Sequence, residues 1–296
     1  MDKFEGVPEQ VVAPEIPRED WETLIVLQRH GRYDNRRPAD PDNLTEEERA
    51  YGHLTAEGIE EARKRADERI AAILEEHPET KDFLILNSPT FWLDDERLGQ
   101  RARETAEIIA GEISKKLKEL GLPEGQLLNN SGRFKGNVSR PDVKLGEGLM
   151  FQVPEFAKFL RGQFGGKQPP AFWQAFNRDT YREKREELGA EGPDQIATRV
   201  NEGVNVAARF AEFYHRQHPG RKLAVWMVTH GDGLDPFVQR VVGAPEEDFS
   251  AGYNEGIGIA VDSSGVTETT IKGKEYKLPV ARHGKPAPIR RGKFER

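Results

Sequence analysis

The sequence predicts an α/β fold, a three-layer αβα sandwich with a mainly parallel central sheet and an inserted helical cap. Three short apolar runs, at 23–28, 82–87 and 223–228, are typical of parallel strands buried on both faces. Long segments between them repeat apolar residues every three or four positions, as amphipathic helices do. Strands that alternate with such helices favour a parallel sheet covered by helices on both sides.

The remaining elements follow along the chain. Residues 1–20 contain three prolines and many acidic residues, and we interpret them as an extended arm. Residues 21–275 are predicted to form one domain, and 276–296 a basic tail. Helices are predicted from Ala56 to the residue before Pro78, with Thr55 as the cap, and at 102–120, 196–215 and 236–242. A late hairpin is predicted from 257–261 and 266–271, whereas 121–140 is interpreted as a loop.

One segment interrupts this alternation. Residues 151–181 contain eight aromatic side chains, although the chain as a whole is 8 % aromatic. We interpret the segment as part of an inserted, mostly helical cap at about 148–192. Its aromatic side chains form either the core of this small subdomain or a surface for an apolar part of a ligand.

The composition excludes several kinds of chemistry. The 296 residues contain no cysteine, which rules out a thiolate nucleophile, a disulfide framework and an iron–sulfur cluster. No secretory signal and no membrane-spanning run is visible, so a cytoplasmic protein is expected. The net charge is −7, yet residues 272–296 carry nine basic and two acidic side chains. A solvated tail is the favoured interpretation, and nucleic-acid binding is not expected.

Candidate functional residues follow the three apolar runs. Arg29-His30-Gly31-Arg32 follows the first, Ser88-Pro89 the second, and Thr229-His230-Gly231 the third. In open α/β sheets ligands bind at the carboxyl ends of the strands, so these segments are expected to converge. An adjacent guanidinium favours the neutral imidazole of His30, and it also binds phosphate. The pattern therefore predicts a nucleophilic histidine beside a phosphoryl group.

Taken in order, these segments resemble the motifs of the histidine phosphatase superfamily, in its phosphoglycerate-mutase-like branch. The similar segments are Arg29-His30-Gly31, Leu54-Thr55-Ala56-Glu57-Gly58 with Ala62, Ser88-Pro89 with Arg101-Ala102-Arg103-Glu104-Thr105-Ala106, Leu145-Gly146-Glu147, and Val228-Thr229-His230-Gly231. They extend from about residue 22 to 240 and cover most of the chain.

The resemblance implies a role for each matching residue. His30 is expected to be the nucleophile that becomes phosphohistidine. Arg29, Arg101 and His230 are expected to bind the phosphoryl group and to stabilise its charge. Glu147 is expected to protonate the leaving oxygen and then to deprotonate the attacking water. The resemblance implies no metal ion and no cofactor.

Departures from the family pattern leave alternatives open. In the family the arginine follows the serine by four positions, whereas Ser88 and Arg101 are thirteen apart. Arg97 and Arg103 are therefore rivals of Arg101 for the pocket. Around Glu147 the match is short, and Glu155 is a rival for the acid.

The residues after His30 also depart from the family. Arg32 and Tyr33 stand where the family often has Glu and then Ser or Thr. This difference favours a phosphatase over a mutase. It also adds Arg32 as a further cation expected to bind phosphate. Asp232 and Asp235 either orient the loop near His230 or cap a helix. We expect hydrolysis of a small phosphorylated substrate. A phosphoglycerate-mutase-type phosphotransferase and a non-catalytic protein that binds phosphoryl ligands remain the alternatives.

Overall fold

A computed structural model of the chain describes residues 23–36, 45–89, 100–122, 126–130, 140–148, 153–262 and 267–278. The described residues form one seven-stranded sheet of order β3-β2-β4-β1-β5-β6-β7. Its strands are β1 (Thr23–Arg29), β2 (Thr80–Asn87), β3 (Arg140–Pro141), β4 (Lys222–Thr229), β5 (Gly256–Val261), β6 (Thr267–Ile271) and β7 (Lys274–Leu278). The interpreted arm at 1–20 and residues 279–296 of the interpreted tail lie outside the described residues.

The sheet is parallel in only one half. Strands β3, β2, β4 and β1 run parallel to one another, whereas β5, β6 and β7 are each antiparallel to their neighbours. Short connections join the last three strands. A short connection can only bring the chain back antiparallel, because a parallel neighbour requires a long crossover. The expectation of a mainly parallel sheet is therefore correct for the four strands that carry the site.

Helices cover both faces of the sheet, as the sequence predicts. They are α1 (Ala56–Glu76), α2 (Arg101–Glu119), α3 (Pro154–Gly162), α4 (Pro170–Asn177), α5 (Arg182–Glu187), α6 (Pro193–Gln217) and α7 (Gly231–Phe237). Helices α1 and α2 pack on one face through a buried cluster that includes Leu24 and Trp226. The other helices with core residues, α3, α4, α6 and α7, pack on the opposite face, where Ile25 and Leu27 are buried. Successive residues of β1 thus enter two different cores, which explains its unbroken apolar run.

The helix boundaries follow local signals. The Thr55 side chain accepts a hydrogen bond from the Gly58 amide at 3.0 Å and caps α1, as predicted. The helix predicted at 236–242 begins earlier, at Gly231, and continues as a π-helical turn over Val238–Val242. Proline is common in the first turn of a helix, which is where the predicted start puts Pro236. Here Pro236 lies inside the helix, and its missing amide removes one bond of the helical ladder.

The inserted segment folds into three short helices, α3, α4 and α5. Phe156, Phe172 and Phe176 are buried in the core on the α6 side of the sheet. The partly buried aromatic side chains that pack against this core are Phe159, Phe164, Trp173 and Tyr181. Most of the aromatic side chains therefore belong to the core, while Phe151 lies outside the described residues. Within the described ranges, no helix combines the length and the apolar character needed to cross a membrane.

Candidate active site

The parallel register brings the predicted segments to one edge of the sheet. Arg29 at the end of β1 lies opposite Thr229 at the end of β4, and Asn87 at the end of β2 lies opposite Val228. The next residue after each strand therefore reaches the same edge. The rings of His30 and His230 lie 5.0 Å apart, centroid to centroid, and each histidine is 2 % exposed.

Hydrogen bonds determine the tautomer of His30. Its Nε2 accepts a hydrogen bond from Nε of Arg101 at 3.0 Å, and its Nδ1 lies 2.8 Å from the Gly31 carbonyl oxygen. A guanidinium can only donate, so Nε2 carries the lone pair and Nδ1 carries the proton. Burial lowers the pKa of His30 well below its usual value, and the charges of Arg101, His230 and Arg29 lower it further. His30 is thus a neutral imidazole with its basic nitrogen directed at Arg101.

The structure places Arg101, and not Arg103, against His30. Arg101 is the first residue of α2, whereas Arg103 is exposed and pairs with Glu107 at 2.8 Å. Two residues along a helix correspond to a rotation of about 200°, which directs the two side chains to opposite sides. The third rival, Arg97, lies outside the described residues.

Glu147 lies in the same cluster, and Glu155 does not. The Glu147 carboxylate is buried, contacts the Arg101 guanidinium, and has Oε1 3.4 Å from Nδ1 of His230. Glu155 is exposed in the first turn of α3. The structure therefore brings together Glu147, Arg101 and both histidines.

His230 is oriented from the opposite side by Ser88. Nε2 of His230 lies 2.8 Å from Oγ of Ser88, and this hydroxyl donates to the Pro89 carbonyl at 2.9 Å. Because the hydroxyl proton is used there, Oγ accepts from Nε2, and Nδ1 is the ring atom that faces Glu147. Burial lowers the pKa of His230 well below its usual value, with contributions from Arg101, Arg29 and Arg199.

Two further arginines face one tyrosine at the rim of the site. The guanidinium of Arg29 lies 4.2 Å from the centre of the Tyr253 ring and donates to the Ala251 carbonyl at 2.6 Å. The guanidinium of Arg32, which is exposed, lies 5.5 Å from the same ring. Neither arginine forms an ion pair with a carboxylate of the described residues. Both charges are therefore available to an anion, and Tyr253 is a contact that the sequence did not reveal.

The two aspartates after His230 orient loops of the site. Oδ2 of Asp232 accepts a hydrogen bond from the Gly148 amide, and Oδ1 of Asp235 accepts one from the Ala251 amide, both at 2.7 Å. Burial raises the pKa of both carboxyls, that of Asp235 to about 6. These contacts fit the interpretation that the two aspartates orient loops, and they do not fit helix capping.

Other backbone contacts position His30 itself. The Gly31 amide donates to Oγ1 of Thr105 at 2.9 Å, and the Asn254 amide donates to the His30 carbonyl at 3.2 Å. Thr105 belongs to a motif segment but has no predicted role. No group of three or more His, Asp or Glu side chains in the described ranges is arranged to hold a metal ion.

Comparison with known proteins gives solved structures only, since no family model and no curated protein matches the chain. The chain is similar to a phosphoglycerate mutase from Bacillus anthracis str. Sterne, with 16 % identity, coverage of 85 % of this chain and 93 % of that one, and a TM-score of 0.47. A mycobacterial glucosyl-3-phosphoglycerate phosphatase is 12 % identical, over 85 % and 98 % of the two chains, with a TM-score of 0.40. The alpha-ribazole phosphatase from Shigella flexneri is 18 % identical, over 88 % and 96 %, with a TM-score of 0.40. Similarity at this level assigns no activity to the chain.

Proposed function

We propose that this chain is a phosphate-monoester hydrolase of the histidine phosphatase superfamily that acts through a phosphohistidine on His30. The observation that carries the proposal is the state of His30, which is neutral, with Nε2 in contact with Arg101. The same guanidinium contacts Glu147, so a nucleophile, a cation and a candidate acid meet at one point. Neutral imidazole is a competent nucleophile toward phosphorus.

The first step transfers the phosphoryl group. The lone pair on Nε2 of His30 forms a bond to phosphorus while the bond from phosphorus to the ester oxygen breaks. The carboxyl group of Glu147 gives its proton to the departing oxygen, so an alcohol leaves and Glu147 becomes a carboxylate. The negative charge of the bound substrate favours the protonated carboxyl at the start of this step.

The second step hydrolyses the intermediate. The carboxylate of Glu147 takes a proton from water as the water oxygen bonds to phosphorus. The bond between phosphorus and nitrogen breaks, and its electron pair returns to Nε2 of His30. Inorganic phosphate leaves, and both residues regain their starting states.

The phosphoryl oxygens require positive charge and hydrogen-bond donors throughout. In this proposal Arg29, Arg32 and Arg101 supply the charge. The bound phosphoryl dianion favours a second ring proton on His230, at Nδ1, and this N–H then donates to a phosphoryl oxygen. Guanidinium groups bind phosphate oxygens in pairs, which suits a group whose charge is spread over three oxygens. The proposed reaction therefore proceeds without a metal ion, on a small phosphorylated substrate.

The nucleophile is tested by substitution and by isolation of the intermediate. His30→Ala should abolish turnover of p-nitrophenyl phosphate in the presence of EDTA, and radiolabelled substrate should give an acid-labile, base-stable phosphoprotein only when His30 is present. His218→Ala is the matched control, because His218 ends α6 at the opposite edge of the sheet. Turnover by His30→Ala near the wild-type rate would refute the proposal. A phosphoenzyme that returns its phosphate to a second metabolite would indicate a mutase.

The acid is tested by its dependence on the leaving group. Glu147→Gln should lower kcat/KM for an alkyl phosphate by about 10²–10⁴-fold, since an alkoxide needs a proton in order to leave. The effect on p-nitrophenyl phosphate should be much smaller, because p-nitrophenolate leaves without one. Glu155→Gln serves as the control and should change neither rate. Equal slowing of both substrates by Glu147→Gln would place the acid elsewhere.

A further inference from the structure

Arg199 contacts the backbone of the segment that carries Glu147. This arginine lies in the second turn of α6, and its Nη1 donates to the carbonyl oxygens of Lys144 at 2.9 Å and Gly146 at 3.0 Å. Its Nη2 lies 3.3 Å from the carbonyl oxygen of Glu147 itself. Nη1 also lies 3.4 Å from the Val143 carbonyl oxygen, so one side chain contacts four carbonyl groups within five consecutive residues.

The guanidinium is itself fixed by a carboxylate. Its Nε and Nη2 donate to the two carboxylate oxygens of Glu191 at 3.0 and 2.9 Å. Glu191 is buried and lies two residues before α6, at the end of the inserted segment. A planar, bidentate pair of this kind restricts both the position and the rotation of the guanidinium. A lysine at position 199 could not form both sets of contacts.

Two residues that flank His230 bind the same segment from the other side. Oγ1 of Thr229 donates to the Leu145 carbonyl at 2.8 Å, and Asp232 accepts from the Gly148 amide at 2.7 Å. The backbone on both sides of Glu147 is thus bound by side chains of α6 and of the turn that presents His230. Such contacts determine where the Glu147 carboxylate lies relative to the two histidines.

We propose that Arg199, oriented by Glu191, is a positioning residue that places the Glu147 carboxyl group for proton transfer to the leaving oxygen. The inference rests on the proposed function, in which Glu147 is the acid. General acid catalysis requires the carboxyl group within hydrogen-bond distance of the oxygen that leaves. Loss of the carbonyl contacts would displace Glu147 without removing any hydrogen bond of His30.

The kinetic test compares Arg199→Lys with Arg209→Lys, an exposed arginine on the same helix. We expect Arg199→Lys to lower kcat/KM for an alkyl phosphate about 10–100-fold more than for p-nitrophenyl phosphate, because displacing an acid by about 1 Å has effects of this size. In a Glu147→Gln background, adding Arg199→Lys should change the alkyl phosphate rate by less than about twofold, since the two residues act through one step. Arg209→Lys should change neither rate.

A purely structural role would give a different pattern. Equal losses for both substrates, or an undiminished loss in the Glu147→Gln background, would overturn the proposal. Glu191 is the partner of Arg199, and Glu191→Gln keeps the shape of this side chain while it removes the charge. We therefore expect Glu191→Gln to lower the alkyl phosphate rate more than the p-nitrophenyl phosphate rate, as Arg199→Lys does. If Arg199→Lys melts at a much lower temperature than the wild type, the same comparison of substrates is made with Glu191→Gln instead.

A measurement without turnover separates this inference from the proposed function. Hydrogen–deuterium exchange of the peptide over 143–148 should be faster in Arg199→Lys than in the wild type, and unchanged in Arg209→Lys. Unchanged exchange in Arg199→Lys would overturn the positioning role, whatever the activity. Absence of phosphohistidine on His30 would instead overturn the proposed function, and the exchange result would still report on the contacts of Arg199.

Discussion

The hydroxyl group of Thr105 offers a test of how α2 positions His30. Thr105 is fully buried, accepts from the Gly31 amide at 2.9 Å, and donates to the Arg101 carbonyl at 2.7 Å. Thr105→Val keeps the shape of the side chain but leaves a buried amide without an acceptor. Such a group costs about 1–3 kcal/mol, and the free energy of unfolding should fall by that amount. The same change releases the turn after His30, and a displacement of about 1 Å should lower kcat by about 100-fold.

Thr105→Ser is the matched variant, because it removes a methyl group and keeps the hydroxyl. Loss of one buried methyl group costs about 1 kcal/mol, so the two variants should be similarly destabilised. Their activities should nevertheless differ, with the serine variant close to wild type and the valine variant strongly impaired. Urea unfolding measures the stability, and steady-state turnover of p-nitrophenyl phosphate measures kcat. A fully active Thr105→Val protein, or equal losses in both variants, would show that this hydroxyl does not position His30.

Two further predictions concern charge. Arg101→Gln should lower kcat/KM for p-nitrophenyl phosphate by about 10²–10³-fold, because it removes a donor to the charge that develops on the phosphoryl group. Arg103→Gln should leave this rate unchanged, and equal effects of the two substitutions would contradict the assignment of Arg101. Because burial keeps the pKa of His30 and of His230 well below the usual value, the unfolded chain binds more protons than the folded protein below about pH 6.5. Stability should therefore fall as pH drops below 6.5, by up to about 1.4 kcal/mol per pH unit for each histidine. Urea unfolding at pH 7.5 and 5.5 should show a smaller loss for His30→Gln than for wild type, and an equal loss would contradict a neutral, buried His30.

The fold was predictable where burial leaves a pattern. Strand β1 is buried on both faces, so its apolar run is unbroken and marks a strand at once. Strand β7, by contrast, lies at an edge of the sheet and is largely exposed, and its sequence resembles the basic tail in which it was partly included. Helix α7 has only seven residues, too few to show a helical period, and its start was predicted too late.

The site was predictable in the same way, where position along the chain determines position in space. His30 and His230 directly follow neighbouring parallel strands, so their convergence follows from strand direction alone. Arg101 and Glu147 do not directly follow a strand, since they lie 14 residues after β2 and six after β3, and only the resemblance to the family singled them out. Arg199 gave no signal, because it is one of many charged residues on a long helix and its function depends on which carbonyl groups face it.

The charge of the chain shows why composition alone does not identify a ligand. A net charge of −7 suggests repulsion of a phosphate dianion, but exposed charges are screened beyond about 8 Å at physiological ionic strength. At 4 Å, in contrast, two unit charges near a protein surface interact by about 4 kcal/mol. Arg29 and Arg32 lie at the rim of the site without a carboxylate partner among the described residues, and Arg101 contacts both His30 and Glu147. In the proposed function, the local arrangement of these few groups therefore outweighs the acidic surface in selecting a phosphorylated ligand.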